Sequence, residues 1–172
     1  NNKNETAYKI EIPESDINDA ISTVKLEESI EPISSLLITA SIENGEKLFK
    51  KCVSCHSYQK GGKSKIGPNL WNIVNRLKAS SEGFAYSNAL TEFGGTWNFE
   101  ELNNFLYNPK KYIQGTKMNF GGLKKVEDRA DLILWLRQNS DNPVPTSMAA
   151  VIHLILSLFS TILLIESPKA FE

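Results

Sequence analysis

Five consecutive residues, Cys52-Val53-Ser54-Cys55-His56, restrict this chain more than any other feature. Cys52 and Cys55 are its only cysteines, and a histidine follows directly on the second. One disulfide across so short a loop would constrain little of the unfolded chain. A closed zinc site needs about four ligands, and the only other histidine is His153. A thioredoxin-like dithiol needs a strand–helix–strand setting, and no alternating strand pattern is visible. Covalent haem attachment is the chemistry that remains for C-x-x-C-H. Both thiols add across porphyrin vinyl groups as thioethers, and the adjacent imidazole reaches the iron. Two tethers and one ligand hold a cofactor without a large enclosing pocket.

The iron then needs a sixth ligand. His153 sits in an apolar stretch, which leaves lysine and methionine. The only methionine in the middle of the chain is Met118, in the run Tyr112-Ile113-Gln114-Gly115-Thr116-Lys117-Met118. A lone methionine usually fills a core. This one follows Thr116 and Lys117 in a polar, glycine-containing loop, which favours ligation. A His/Met field raises the reduction potential and leaves no open position for substrate. The expected function is one-electron transfer, not enzymatic catalysis. Two alternatives stand beside it. Met118 is labile and the chain is a five-coordinate haem sensor or peroxidase, or the chain is a haem-bearing subunit of a larger respiratory complex.

Charge divides the 172 residues into three parts. Residues 1–44 hold nine acidic residues and three lysines, for −6; residues 45–142 hold fifteen basic and nine acidic, for +6; residues 143–172 carry −1. Segregation of this kind separates an acidic extension, a basic domain and a tail. The boundaries expected are an acidic linker over 1–43, a haem domain over 44–142, and a short proline linker with an apolar helix over 143–172. Within 1–43, Ser15 to Val24 has the spacing of a short amphipathic helix, and Leu36 to Ile38 a docking patch. The sequence opens on Asn1, and an upstream segment is expected to have been removed.

The middle part reads as helical. A first helix is expected from about Asn44 to Val53, with Asn44 as N-cap. A Gly- and Lys-rich loop follows. A second helix starts near Asn98, with Glu101 at capping-box spacing, and stops before Pro109. A last helix spans about Val126 to Asn139 and buries Leu132, Ile133, Trp135 and Leu136. Met148 to Ile165 carries no charge. At about 1.5 Å per residue it reaches roughly 27 Å, close to the ~30 Å hydrocarbon core, so a membrane segment is expected there.

From Asn44 to Asn142 the chain resembles a class I cytochrome c, an all-α fold wrapped around one haem c. Gly45 and Phe49 fall where the family's first helix crosses the last, facing Leu132 and Trp135. Gly67-Pro68-Asn69-Leu70 resembles the loop whose Pro68 carbonyl accepts the His56 ring N–H. Arg76, Tyr86 and Trp97 fall where the family contacts the haem propionates. Asn108-Pro109-Lys110-Lys111-Tyr112 and Gly115-Thr116-Lys117-Met118 resemble the distal loop around a Met ligand. Two positions depart from the family's pattern, Gln114 where proline is common and Phe105 where many members have tyrosine. The resemblance implies covalent attachment through Cys52 and Cys55, with His56 and Met118 on the iron.

Glu82-Gly83-Phe84-Ala85-Tyr86-Ser87 and Ser140-Asp141-Asn142-Pro143-Val144-Pro145, with the acidic extension, resemble the bacterial membrane-anchored respiratory subgroup. That likeness implies a quinol:cytochrome c reductase as donor, a cytochrome c oxidase as acceptor, and residence on the periplasmic side of the bacterial inner membrane. Ten lysines are expected near the exposed haem edge: Lys50, Lys51, Lys60, Lys63, Lys65, Lys110, Lys111, Lys117, Lys124 and Lys125. A field of that sign steers an acidic partner. Nucleic acid is a poor rival, because stacking aromatics are not interleaved with these lysines.

Overall fold

The computed structural model describes residues 30–146. The expected amphipathic run at 15–24 and the apolar stretch at 148–165, His153 included, lie outside them. Among the described residues no helix is long and apolar enough to cross a membrane. Among the described residues five helices appear in order: α1 (Ile42–Phe49), α2 (Asn88–Phe93), α3 (Phe99–Tyr107), α4 (Pro109–Tyr112) and α5 (Val126–Gln138). A 3-10 turn at Leu36–Ile38 precedes them. The only bridge among the described residues is the isolated pair Leu77 and Thr96, so the all-α expectation holds.

Helix α5 is the spine. Eight consecutive residues, Arg129 to Leu136, are buried. A helix buried on every face needs partners all round, and α1, α3 and the 3-10 turn supply them. The α1–α5 crossing depends on Gly45. A Cβ there would overlap the Asp131 carbonyl and the Trp135 Cβ, so only glycine lets the backbones approach. Phe49, Tyr58 and Trp135 close the crossing with ring centroids 4.5 to 5.1 Å apart.

The first helix begins earlier than its sequence suggests. Ser41, not Asn44, is the N-cap, and its hydroxyl accepts the Asn44 N–H at 3.1 Å. Asn44 turns its amide to Asp131 of α5 instead, at 2.6 Å, while the Ser41 N–H donates to the same carboxylate at 2.7 Å. The helix also stops at Phe49, so both cysteines lie in the turns beyond it. Asn98 caps α3 as expected, accepting the Glu101 N–H at 2.8 Å. Pro109 does not simply end that helix. Capped by Asn108, it starts α4 at the first-turn position where its missing N–H costs nothing. Helix α2, capped by Ser87, was not anticipated.

Residues before α1 belong to the core. Ile33 and Leu37 are 0% and 2% exposed. Glu100 of α3 accepts the N–H groups of Ile33 (3.1 Å) and Ser34 (3.0 Å) and the Ser34 hydroxyl (2.6 Å). The fully buried Asn103 donates to the Glu31 carbonyl at 2.9 Å and accepts from Arg129 Nε at 2.6 Å. The acidic extension is therefore seated on the domain from Glu31 onward.

A second clasp joins the chain beyond α5 to the loop around residues 60–72. The Asp141 carboxylate accepts from Lys60 (2.5 Å), Asn72 (2.8 Å) and Trp71 (3.0 Å). Hydrogen bonds from Lys60 first, then Asn72 and Trp71, hold its pKa well below the ordinary carboxylate range. A carboxylate depressed in the folded state stabilises it above the unfolded pKa of about 3.9, and that stability is lost as pH falls toward the depressed value. Asp141→Asn should therefore destabilise the domain at pH 7, and the gap from the parent protein should shrink below about pH 4. Denaturant titrations at pH 7 and pH 3 check this.

Candidate haem site

All nine residues singled out from the sequence line one cleft: Cys52, Cys55, His56, Pro68, Arg76, Tyr86, Trp97, Thr116 and Met118. They come from six separate stretches of chain, none of them inside α1, α3 or α5. The helices supply the apolar wall instead, with Phe49, Leu90, Leu102, Phe105, Leu106, Leu132 and Leu136. The cleft encloses about 1480 Å³, its open mouth included. That is far more than a bare ion needs, and the lining suits a large flat apolar group with a polar end.

The His56 imidazole is half buried, with Nδ1 2.8 Å from the Pro68 carbonyl oxygen. An Nδ1–H donated there leaves the Nε2 lone pair free for a metal. Burial lowers its pKa, the Pro68 hydrogen bond opposes that, and Arg76 and Lys65 reinforce it. The ring is thus held neutral, as a ligand must be. Gly67 lies flat against it, and a Cβ at this position would overlap the ring. The proximal loop has glycine there because the histidine occupies the space.

Cys52 and Cys55 are half buried and not bonded to each other. Burial first, and the neighbouring Cys55 second, push the Cys52 thiol up to about 11. It is a neutral thiol at physiological pH until it is alkylated.

The polar end is marked by Arg76. Its Nη1 donates to the Asn69 and Trp71 carbonyls, both at 3.0 Å. Its Nε is buried with no partner. An orphaned buried guanidinium donor costs free energy unless an acceptor meets it, and Arg76 lines the cleft, where its charge would suit a carboxylate of the cofactor. Tyr86 packs edge-on against Phe84, centroids 4.7 Å apart, and accepts the Ser81 N–H at 3.3 Å. Met118 is half buried, in a loop where its N–H donates to the Thr116 hydroxyl at 3.3 Å. Phe105 packs on Trp97, with ring centroids 4.9 Å apart.

The ten lysines expected at the edge are all exposed, and Lys51 and Lys117 reach the cleft itself. Beside them Ile66 is 80% exposed at the mouth. Sequence reasoning did not place Phe84, Leu90 or Asn119 in the cleft. Phe84 lies two residues before Tyr86 in the run Glu82-Gly83-Phe84-Ala85-Tyr86-Ser87, so its signal was that neighbourhood.

A cleft with two thiols, a tautomer-fixed imidazole, a thioether and an unmet guanidinium fits a covalently bound haem and defines a small helical electron-transfer domain. Residues 42–140 match the cytochrome c family model. The cytochrome c homolog of Bradyrhizobium diazoefficiens is 45% identical over 121 residues, covering 70% of this chain and 66% of that protein. The cytochrome c homolog of Rickettsia prowazekii is 45% identical over 130 residues, 76% of this chain and 73% of its own. The cytochrome c of Chlamydomonas reinhardtii is 51% identical over 98 residues, 56% of this chain and 88% of its own. The chain belongs to the cytochrome c family. It is a haem-based electron carrier and not an enzyme, and its haem c is covalently held.

Proposed function

We propose that this protein carries single electrons from a quinol:cytochrome c reductase to a terminal cytochrome c oxidase in aerobic respiration. The observation that carries the reading is the convergence of Cys52, Cys55, His56 and Met118 on one apolar cleft that the exposed Lys51 and Lys117 also line. Cys52 and Cys55 supply the two thioether sulfurs. His56 Nε2 and the Met118 sulfur would be the donors to the iron, and Arg76, Tyr86 and Trp97 would hold the propionate end. When bound, the haem supplies a one-electron iron couple. The protein's own residues hold that couple in place and keep water from it. Pro68 fixes the His56 tautomer, Thr116 braces the Met118 backbone, and the leucine and phenylalanine wall excludes solvent. Little polar reorganisation then accompanies the change of charge.

The excess of basic residues gives the domain a positive field, Lys51 and Lys117 bring part of it to the cleft, and Ile66 offers an apolar contact there. Encounter with an acidic partner would be fast at low salt and slower as ions screen it. Residence on the periplasmic side of the bacterial inner membrane, with residues 148–165 as a tether, belongs to the same proposal. Tethering would raise the effective concentration near membrane partners.

The test uses purified holoprotein. Oxidised and reduced spectra should show low-spin c-type haem, with a far-red sulfur-to-iron band when oxidised. Isolated reductase should reduce it, and isolated oxidase should reoxidise it, at rates that fall with rising salt. A high-spin five-coordinate spectrum, or no turnover with either complex, would overturn the proposal.

A further inference from the structure

Twelve lysines lie among the described residues, and eleven of them are exposed. Lys78 is the exception, with a side chain 3% accessible. Its ammonium stands 2.7 Å from Glu101 Oε2, the carboxylate being 27% exposed. It also lies 4.8 Å from the Phe93 ring centroid and 5.1 Å from that of Trp97. Gly95 makes room for it, since a Cβ there would come within 3.3 Å of Nζ.

The backbone explains how Lys78 reaches this position. Residues 75–78 run against 95–97 in a short antiparallel pairing. The Asn75 N–H donates to the Trp97 carbonyl and the Trp97 N–H to the Arg76 carbonyl, both at 2.9 Å. The Lys78 N–H donates to the Gly95 carbonyl at 2.8 Å. Arg76 and Trp97, which both line the cleft, are thereby held on adjoining rungs. Lys78 continues the same extended segment and folds back over Trp97. Glu101 lies in the first turn of α3, the helix that carries Leu102, Phe105 and Leu106 into the cleft. The ion pair therefore bolts the Arg76–Trp97 pairing to the apolar wall.

A buried ion pair is seldom the most stable filling for such a space, and an apolar residue of similar volume often does as well or better. A buried charge beside a redox site has a second consequence. It shifts the relative stability of the two oxidation states through a medium of low dielectric constant.

We propose that Lys78 is a positioning residue for the polar end of the haem cleft and that, with Glu101, it tunes the reduction potential. The proposal rests on the haem-carrier reading above. Lys78 holds Trp97 by its ring face and holds Arg76 through the shared pairing. Its positive charge favours the reduced iron, which carries one positive charge fewer, and Glu101 opposes it. Removing either partner leaves the other charge uncompensated, so the two removals act in opposite directions.

The test is a redox titration of holoprotein variants alongside thermal melts. Lys78→Met should shift the ferric/ferrous ratio at fixed potential about threefold toward ferric, a fall of roughly 28 mV at 59 mV per tenfold change. Glu101→Gln should shift it a similar amount toward ferrous. Lys78→Arg, which keeps the charge, should stay near the parent value. A lower melting temperature with an unmoved potential in both neutralising variants would make the pair merely structural and overturn the proposal. Shifts of the same sign would overturn it too. If Lys78→Met does not fold, Glu101→Gln decides alone, and an unchanged or lowered potential is fatal. A parent protein without the His/Met spectrum removes the underlying carrier reading. A parent with that spectrum and unresponsive variants removes only this inference.

Discussion

Met118→Ala removes the far-red band of the oxidised protein and lowers the midpoint potential by a sizeable fraction of the roughly 0.8 V that axial ligation spans. The haem should stay attached, because attachment rests on Cys52 and Cys55 in another segment. The thioether is a soft donor that favours ferrous iron, and alanine offers no donor at all. The loop around Met118 holds by other contacts. Lys117 Nζ donates to the Tyr86 carbonyl at 3.2 Å, and the Thr116 N–H donates to the Ile113 carbonyl at 3.1 Å. Truncation at Met118 therefore changes the ligand field without unravelling the segment. Absorption spectra and a redox titration check both effects. A retained band, or an unmoved potential, would show that Met118 does not ligate.

Gly45→Val should lower stability by about 3 kcal/mol, the upper end of the usual range for overpacking, or more. The added atoms would meet the Asp131 carbonyl carbon at 2.8 Å and the Trp135 Cβ at 2.6 Å. Neither can swing aside. One is backbone and the other is the root of a ring stacked 4.5 Å from Phe49. The helices must separate, and the hydrogen bonds from Ser41 and Asn44 to Asp131 are lost with them. For a domain of this size each 1 kcal/mol moves the melting temperature by roughly 4 °C, so a fall of about 12 °C or more is expected. Calorimetry on the holoprotein measures it, and a fall under about 4 °C would mean that the crossing tolerates a side chain.

The site was more legible than the fold's edges. Cys52, Cys55 and His56 are read from one local pattern, because the chemistry of attachment demands those residues at that spacing. Met118 was singled out by elimination and by its polar surroundings, and the fold brings it into the same cleft. The N-terminus of α1 was misplaced because Ser41 and Asn44 both suit an N-cap. Asp131, 87 residues from Asn44 in sequence, draws that amide away and leaves the cap to Ser41. Helix α2 escaped notice because its six residues, Asn88 to Phe93, are too few to show a helical period. Lys78 gave no warning either. In a chain with so many lysines, a buried one looks like the rest until Glu101, Phe93 and Trp97 close around it.

The amino-acid order alone determined the cofactor chemistry, the helical class and the basic character of the domain. Each follows from the identity or spacing of near neighbours. Tertiary structure decided what depends on distant segments meeting. It seated Ile33 and Leu37 in the core, left the Arg76 Nε buried without a partner, and buried one ammonium behind Trp97. Burial and pairing are properties of the packed chain, since a side chain's charge and shape say nothing of what will surround it.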